Sequence, residues 1–165
     1  MDLINIDTSD LKSLAGLAES IAIEVRKGDF IALIGSLGAG KTTFVREFIN
    51  ARALLNSSPP PSEIPSPTFS ICLTYNIGDD NISHYDLYRI SNPIECRELG
   101  FDEALDNGIV LVEWPNRMGS LIPSNRLEVS WQFPSEEERI ISLSGKGEWK
   151  ERAKRLESNY SRILK

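Results

Sequence analysis

The chain has 165 residues, a mass of 18.4 kDa and a formal net charge of −6, a length that holds one domain and buries about two-thirds of the surface exposed when unfolded. Its 41% apolar and 25% charged residues are those of an average globular protein, and no apolar run reaches the roughly 20 residues of a membrane helix. The acidic balance excludes nucleic-acid binding by bulk charge, so any such contact has to be local or lent by a partner.

The N-terminus, Met1-Asp2-Leu3-Ile4-Asn5-Ile6-Asp7, lacks the basic region and apolar stretch of a secretory signal. Residues 9–25 carry Leu11, Leu14, Ala18, Ile21 and Val25 at helical spacing, with Thr8 or Ser9 able to cap the start. A turn at Arg26-Lys27-Gly28-Asp29 leads into Phe30–Ile34, an apolar run that reads as a strand buried on both faces. A glycine-rich loop, residues 35–40, precedes a helix over 41–55 with Phe44, Val45, Phe48, Ile49 and Ala53 on its apolar side.

Residues 56–67 hold five of the nine prolines, which excludes a helix or a central strand and predicts a long exposed loop. Two strand-like segments, 69–76 and 82–88, joined by Gly78-Asp79-Asp80-Asn81, predict a hairpin. Ser91 can cap a helix with Pro93 in its first turn, running to about residue 105. Residues 109–112 are a second fully apolar strand, 126–133 and 139–143 alternate like strands with one wet face, and 148–164 are helical. Between 146 and 165 there are seven basic and three acidic residues, a local positive excess that is either a solvated helix face or a contact for a partner or RNA. Cys72 and Cys96 are too few for a disulfide framework or a four-cysteine zinc site, and a reducing cytoplasm is the expected compartment.

The chemistry concentrates at Gly35-Ser36-Leu37-Gly38-Ala39-Gly40-Lys41-Thr42, which fits G-x-x-x-x-G-K-[ST] between an apolar strand and a helix. Glycines let successive backbone N–H groups turn inward as a nest for phosphate oxygens, and the helix adds its positive end. Lys41 reaches the β- and γ-phosphates, and the Thr42 hydroxyl can ligate Mg²⁺. A tight strand-to-helix turn would need the glycines but not Lys41 and Thr42 together. Ser36, Leu37, Gly38, Ala39, Gly40, Lys41, Thr42 and Thr43 are therefore the candidate nucleotide-binding residues. Residues 1–145 read as the nucleotide-binding domain, and 146–165 as a basic amphipathic helix packed on it or extending it. No Asn-Lys pair of the common GTPase type occurs, which favours ATP.

Such a loop needs an acid near the metal, at the end of a neighbouring strand. Glu113 closes the apolar run Ile109-Val110-Leu111-Val112, and Asp86 closes Ile82-Ser83-His84-Tyr85. One can serve Mg²⁺ or its water shell and the other can orient the attacking water; each can also be a solvated strand-end acid. Thr68 in Ser66-Pro67-Thr68 is a candidate γ-phosphate sensor, and Trp114 either shields the site or packs. Arg89 and Arg117 either stabilise transition-state charge or form surface ion pairs. His84, the only histidine, has a packing or hydrogen-bonding role in this reading.

Four blocks in order carry a resemblance. They are Gly35-Ser36-Leu37-Gly38-Ala39-Gly40-Lys41-Thr42-Thr43-Phe44, then Ser66-Pro67-Thr68-Phe69, then His84-Tyr85-Asp86-Leu87-Tyr88-Arg89, and Glu113-Trp114-Pro115, with Glu98-Leu99-Gly100 between the last two. Over residues 30–117 the chain resembles the bacterial ATPase family of tRNA threonylcarbamoyladenosine (t6A) biosynthesis, TsaE. The resemblance implies an α/β P-loop fold, a three-layer sandwich with a mixed, largely parallel central sheet. It implies Mg²⁺-dependent ATP hydrolysis in support of TsaD and TsaB type proteins, with tRNA met through the complex. Lys41, Asp86 and Glu113 are then catalytic, Thr42 and Glu113 hold the metal, and Thr68 and Trp114 line the nucleotide site. Two departures stand out. Ser36 occupies a position usually acidic in the family, which bears on hydrolysis more than on binding, and the proline loop is extended. The rival activities are phosphate transfer to a metabolite and nucleotide sensing with little turnover.

Overall fold

The structure, a computed structural model, describes residues 4–165; residues 1–3, the start of the segment read above for a signal, lie outside it. The strands are β1 (Ile4–Asp7), β2 (Phe30–Ile34), β3 (Cys72–Ile77), β4 (Asp80–Asp86), β5 (Ile109–Glu113), β6 (Arg126–Gln132) and β7 (Ile140–Lys146). They form one sheet in the order β1-β7-β6-β2-β5-β4-β3. The inner strands β6, β2, β5 and β4 run parallel. Antiparallel pairs close both edges, β3 on β4 at one and β7 on β6 with β1 outermost at the other. The fold is therefore α/β with a mixed sheet.

The period of two along each strand sorts the core into two clusters. Ile31, Leu33, Ile109, Leu111, Leu127 and Val129 face α1 (Leu11–Glu24), α2 (Lys41–Leu55) and α5 (Trp149–Ile163). The alternate residues Phe30, Ala32, Val110 and Val112 face α3 (Pro93–Cys96), α4 (Phe101–Asn107) and the 3₁₀ segment Pro115–Leu121. Helices on both faces of a central parallel sheet make three layers. On α2, Phe44, Val45, Phe48 and Ile49 are wholly buried, each contributing about 1.5–3 kcal/mol. The helix whose first turn bears Lys41 and Thr42 is thus fixed through its middle.

Several local expectations change. Residues 4–7 form a strand that hydropathy does not reveal, because only Ile6 of the four is buried. Helix α1 is capped by Asp10, whose carboxylate accepts from the Ser13 amide at 2.6 Å, rather than by Thr8 or Ser9. Ile34, at 38% exposed, breaks the expected full burial of its strand at the last residue, which β6 still pairs but β5 no longer does. The hairpin forms, but β3 starts at Cys72 and its turn is only Gly78-Asp79. The helix expected over 91–105 is three pieces, capped by Asn92 and interrupted at Gly100, whose φ of 75° no continuing helix adopts. The proline loop is tied down midway: Ile64 is buried and its carbonyl accepts from Arg46 Nε at 2.8 Å.

The C-terminal basic helix spends its arginines internally. Arg152 is buried over the Trp149 ring at 3.9 Å and pairs with Asp29 through two bonds of 2.8 and 2.5 Å. It also donates to the Glu24 carbonyl at the end of α1. Arg155 Nη2 and Asn159 Nδ2 hold the Glu24 carboxylate at 2.9 and 3.0 Å. Among the described residues no helix is long and apolar enough to cross a membrane.

Candidate functional site

Strand β2 delivers the chain to the centre of the sheet's C-terminal edge, where residues 35–40 turn it into α2. Gly38 and Gly40 have φ of 75° and 109°, values in the region open to glycine and costly for other residues. Gly40 is the N-cap of α2 and brings no side-chain cap, so the first-turn amides are left for a ligand. They border a cavity of about 330 Å³ lined by Leu37, Gly38, Ala39, Gly40, Lys41, Thr42, Thr43, Ser66, Thr68, Asp86, Glu113 and Trp114.

The acids arrive by register. Strands β4 and β5 are parallel with Asp86 opposite Glu113. Alternation turns both, together with His84, to the side occupied by α2, the side of Ile82 and Leu111. Thr42 Oγ1 lies 3.4 Å from each Glu113 carboxylate oxygen. His84 is wholly buried, and its Nε2 lies 2.7 Å from Glu113 Oε2. Asp86 accepts from the Tyr88 amide at 3.0 Å. Burial pushes the Asp86 carboxyl above the ordinary carboxylate value, a rise aided by the neighbouring Glu113 and opposed by the Tyr88 amide, His84 and Lys41.

Lys41 is buried, donates to the Gly35 carbonyl at 2.5 Å and sits 4.0 Å over the Trp114 ring. Burial pulls its ammonium below the ordinary lysine value, against the attraction of Glu113 and Asp86. Among the described residues it makes no ion pair.

Two positions at the ends of segments that line the cavity are strained. Trp114 has a φ of 60° and Ile71 a φ of 66°; for a β-branched residue such a value is a true outlier costing about 1–3 kcal/mol. Ile71 is held there by its amide on the Pro67 carbonyl at 2.7 Å and by its own carbonyl accepting from the Asp86 amide at 2.8 Å. This clamp links the Thr68 segment to the end of β4. Ser66 and Thr68 share a hydroxyl hydrogen bond of 2.7 Å. Phe69, just beyond, is 84% exposed beneath the Arg89 guanidinium at 5.0 Å.

The cavity gathers the predicted catalytic, nucleotide-binding and metal-binding residues with one exception. Ser36 is exposed and lines a separate apolar cavity of about 570 Å³ on the other side of the loop, with Ile34, Ile122 and Trp114. Arg89 and Arg117, candidates for transition-state charge, do not line the glycine-loop cavity. Ser66, two residues before Thr68, lines the cavity as well, a position not named among the expected site residues. His84, expected to pack or hydrogen-bond, does so as the direct partner of Glu113; that partner had a signal, since His84 and Asp86 are two apart on one strand and a strand that aims Asp86 at the loop aims His84 there too.

Residues 8–141 match the family model "Threonylcarbamoyl adenosine biosynthesis protein TsaE". The chain is similar to the tRNA threonylcarbamoyladenosine biosynthesis protein TsaE of Rickettsia felis, 39% identical over 127 residues that cover 77% of this chain and 71% of that one. It is also similar to that of Bacillus subtilis, 32% identical over 143 residues covering 86% and 84%. Its fold matches the crystal structure of YdiB from Bacillus subtilis with a TM-score of 0.74 and 27% identity over 99% of this chain and 97% of that one. With a family match over most of its length, the four sequence blocks in place and the glycine-rich loop assembled against two strand-end carboxylates, the chain belongs to the TsaE family of t6A biosynthesis proteins.

Proposed function

We propose that this chain is a Mg²⁺-dependent ATPase subunit that supports t6A formation next to the anticodon of tRNAs, its nucleotide state controlling docking on TsaD and TsaB type proteins. The observation that carries the reading is the convergence of Lys41, Thr42, Asp86 and Glu113 on one cavity at the bare N-terminus of α2.

In this reading the amides of residues 37–42 and the helix end bind the phosphates. Lys41 leaves the Gly35 carbonyl and the Trp114 face to neutralise β- and γ-oxygens. The donors available to a cation are hard oxygens, Thr42 Oγ1 and the Glu113 carboxylate, which fit Mg²⁺. Among the described residues no three or more His, Cys, Asp or Glu side chains form a cage of their own, as expected where phosphates and water complete the shell. Held by Thr42 and Glu113, Mg²⁺ would offset the charge that develops on the phosphates. Asp86, at the edge of the same cavity, orients the attacking water and accepts its proton; a carboxyl with a raised pKa suits that task. Thr68 reads the γ-phosphate, and the strained turn at Ile71 passes its movement to the end of β4.

A cytoplasmic place of work follows from tRNA as the final substrate. Phosphate release measured on the chain alone and with TsaD and TsaB type partners tests the activity. Lys41→Ala is expected to weaken ATP binding by at least about 100-fold, a loss of roughly 2.7 kcal/mol or more. Partner affinity should differ between an ATP analogue, ADP and no nucleotide; equal affinity in all three defeats the switch, since a ligand without preference shifts no equilibrium.

A further inference from the structure

Resting on that reading and deepening it, we propose that His84 is a positioning residue that holds Glu113 beside Thr42 for the cation. His84 is wholly buried in β4, and among the described residues its ring has one hydrogen-bond partner, Glu113, at 2.7 Å. The other ring nitrogen, Nδ1, is buried without a partner. With the Glu113 carboxylate as acceptor, the shared hydrogen sits on Nε2. A histidine serving only to fill the core has no use for this arrangement, since an apolar side chain would fill the space without leaving a polar atom unpaired, at a cost of about 1–3 kcal/mol.

The electrostatics explain why Glu113 needs holding. Its carboxylate has three rotatable bonds and attracts Lys41, which makes no ion pair among the described residues. Free to turn, it would pair with that ammonium, removing both the cation's ligand and the lysine needed for phosphate. The bond from His84 keeps the carboxylate on the β4 side, where both of its oxygens are 3.4 Å from Thr42 Oγ1. The β4–β5 register supports the bond from below. His84 pairs with Leu111 and Asp86 with Glu113, so the imidazole reaches Glu113 diagonally across the parallel ladder, leaving Asp86 free for the reacting water. A polar partner of this kind sets the orientation of a metal-binding side chain, and its loss typically costs about 10–100-fold in metal affinity.

The test is calorimetric, on the full chain, with a non-hydrolysable ATP analogue titrated in Mg²⁺ and in EDTA. The ratio of the two affinities is the cation increment. His84→Leu is expected to cut the increment by about tenfold or more while affinity in EDTA holds. His84→Gln, whose amide can donate from the place of Nε2, should keep most of the increment. His84→Asn, whose amide stands in for the unpartnered Nδ1, should lose it. In a Glu113→Gln background His84→Leu should add nothing further, because the histidine acts through that carboxylate. The inference is overturned if His84→Leu keeps the wild-type increment, if it weakens binding equally in EDTA, or if its effect persists in the Glu113→Gln background. Should His84→Leu fail to fold, the Gln and Asn variants decide, and equal increments in the two overturn it. A wild-type chain with no cation increment overturns the functional reading instead, an outcome distinct from all of these.

Discussion

The junction of α1 and α5 and the cavity at the glycine-rich loop are both rich in buried charge, and they treat it in opposite ways. At the junction charges are matched: Arg152 has Asp29, the α1 carbonyl end and the Trp149 face, while Glu24 has Arg155 and Asn159. In the cavity they are left open. Lys41 rests on a carbonyl and an indole, two carboxylates stand side by side, Nδ1 of the only histidine is unpaired, and two backbone turns are strained. Folding alone favours the first arrangement, because an unpaired buried polar group is a net cost. A region that keeps the second is where the proposed nucleotide and cation would complete it.

The largest expected effect breaks the matched side. Arg152→Ala leaves Asp29 in the interior without its cation and uncaps α1, so stability should fall by about 3–5 kcal/mol. Asp29 would retain only the amide of Arg26, at 2.7 Å. Urea denaturation measures this, and ATP affinity of the folded fraction should not change. A loss below about 1 kcal/mol, the level of a surface pair, would remove the junction from the comparison.

The unmatched side should respond with the opposite sign. Burial raises Asp86 above the ordinary 3.8, so the native chain keeps that proton to a higher pH than the unfolded chain does. Between the two values the native state binds more protons, and stability falls as pH rises through that window. The deficit then persists at neutral pH. Asp86→Asn keeps an oxygen for the Tyr88 amide and removes the charge. It should gain about 1 kcal/mol near pH 7, and the gain should vanish once the pH falls below the unfolded carboxylate's value. Phosphate release should meanwhile drop by roughly 100-fold or more. Denaturation curves across pH, read beside turnover, check both halves; a variant that loses stability at neutral pH contradicts the idea that this carboxylate is held at a cost.

The same contrast explains what could be read from sequence. The glycine-rich loop was legible because its pattern is local: strand, glycines, lysine and threonine are contiguous, at the spacing that the proposed phosphate binding requires. Strands β2 and β5 were legible because these two central strands are apolar on both faces. Strand β1 was not, since an edge strand of four residues that buries only Ile6 carries almost no pattern. The junction was invisible for another reason. Arg152 and Asp29 are 123 residues apart, so composition showed a basic helix where the fold holds a saturated charge network. The bond from His84 to Glu113 spans 29 residues and needed the parallel register to appear. Gly100 split a helix that periodicity alone would have continued.

The smallest expected effect concerns the loop residue that left the site. An acid at position 36 would matter to phosphate chemistry only if its side chain entered the phosphate cavity. Ser36 is exposed on the other side of the loop, where its carbonyl accepts from the Ala39 amide at 3.2 Å and the apolar cavity begins. Ser36→Asp therefore adds a solvated charge worth about 1 kcal/mol or less, and ATP affinity should change by less than about fivefold. Affinity and phosphate release measured together separate the cases. A small change in both leaves position 36 outside the chemistry. A tenfold rise in turnover at constant affinity would mean that nucleotide binding turns this part of the loop inward, moving the boundary between the open and matched regions.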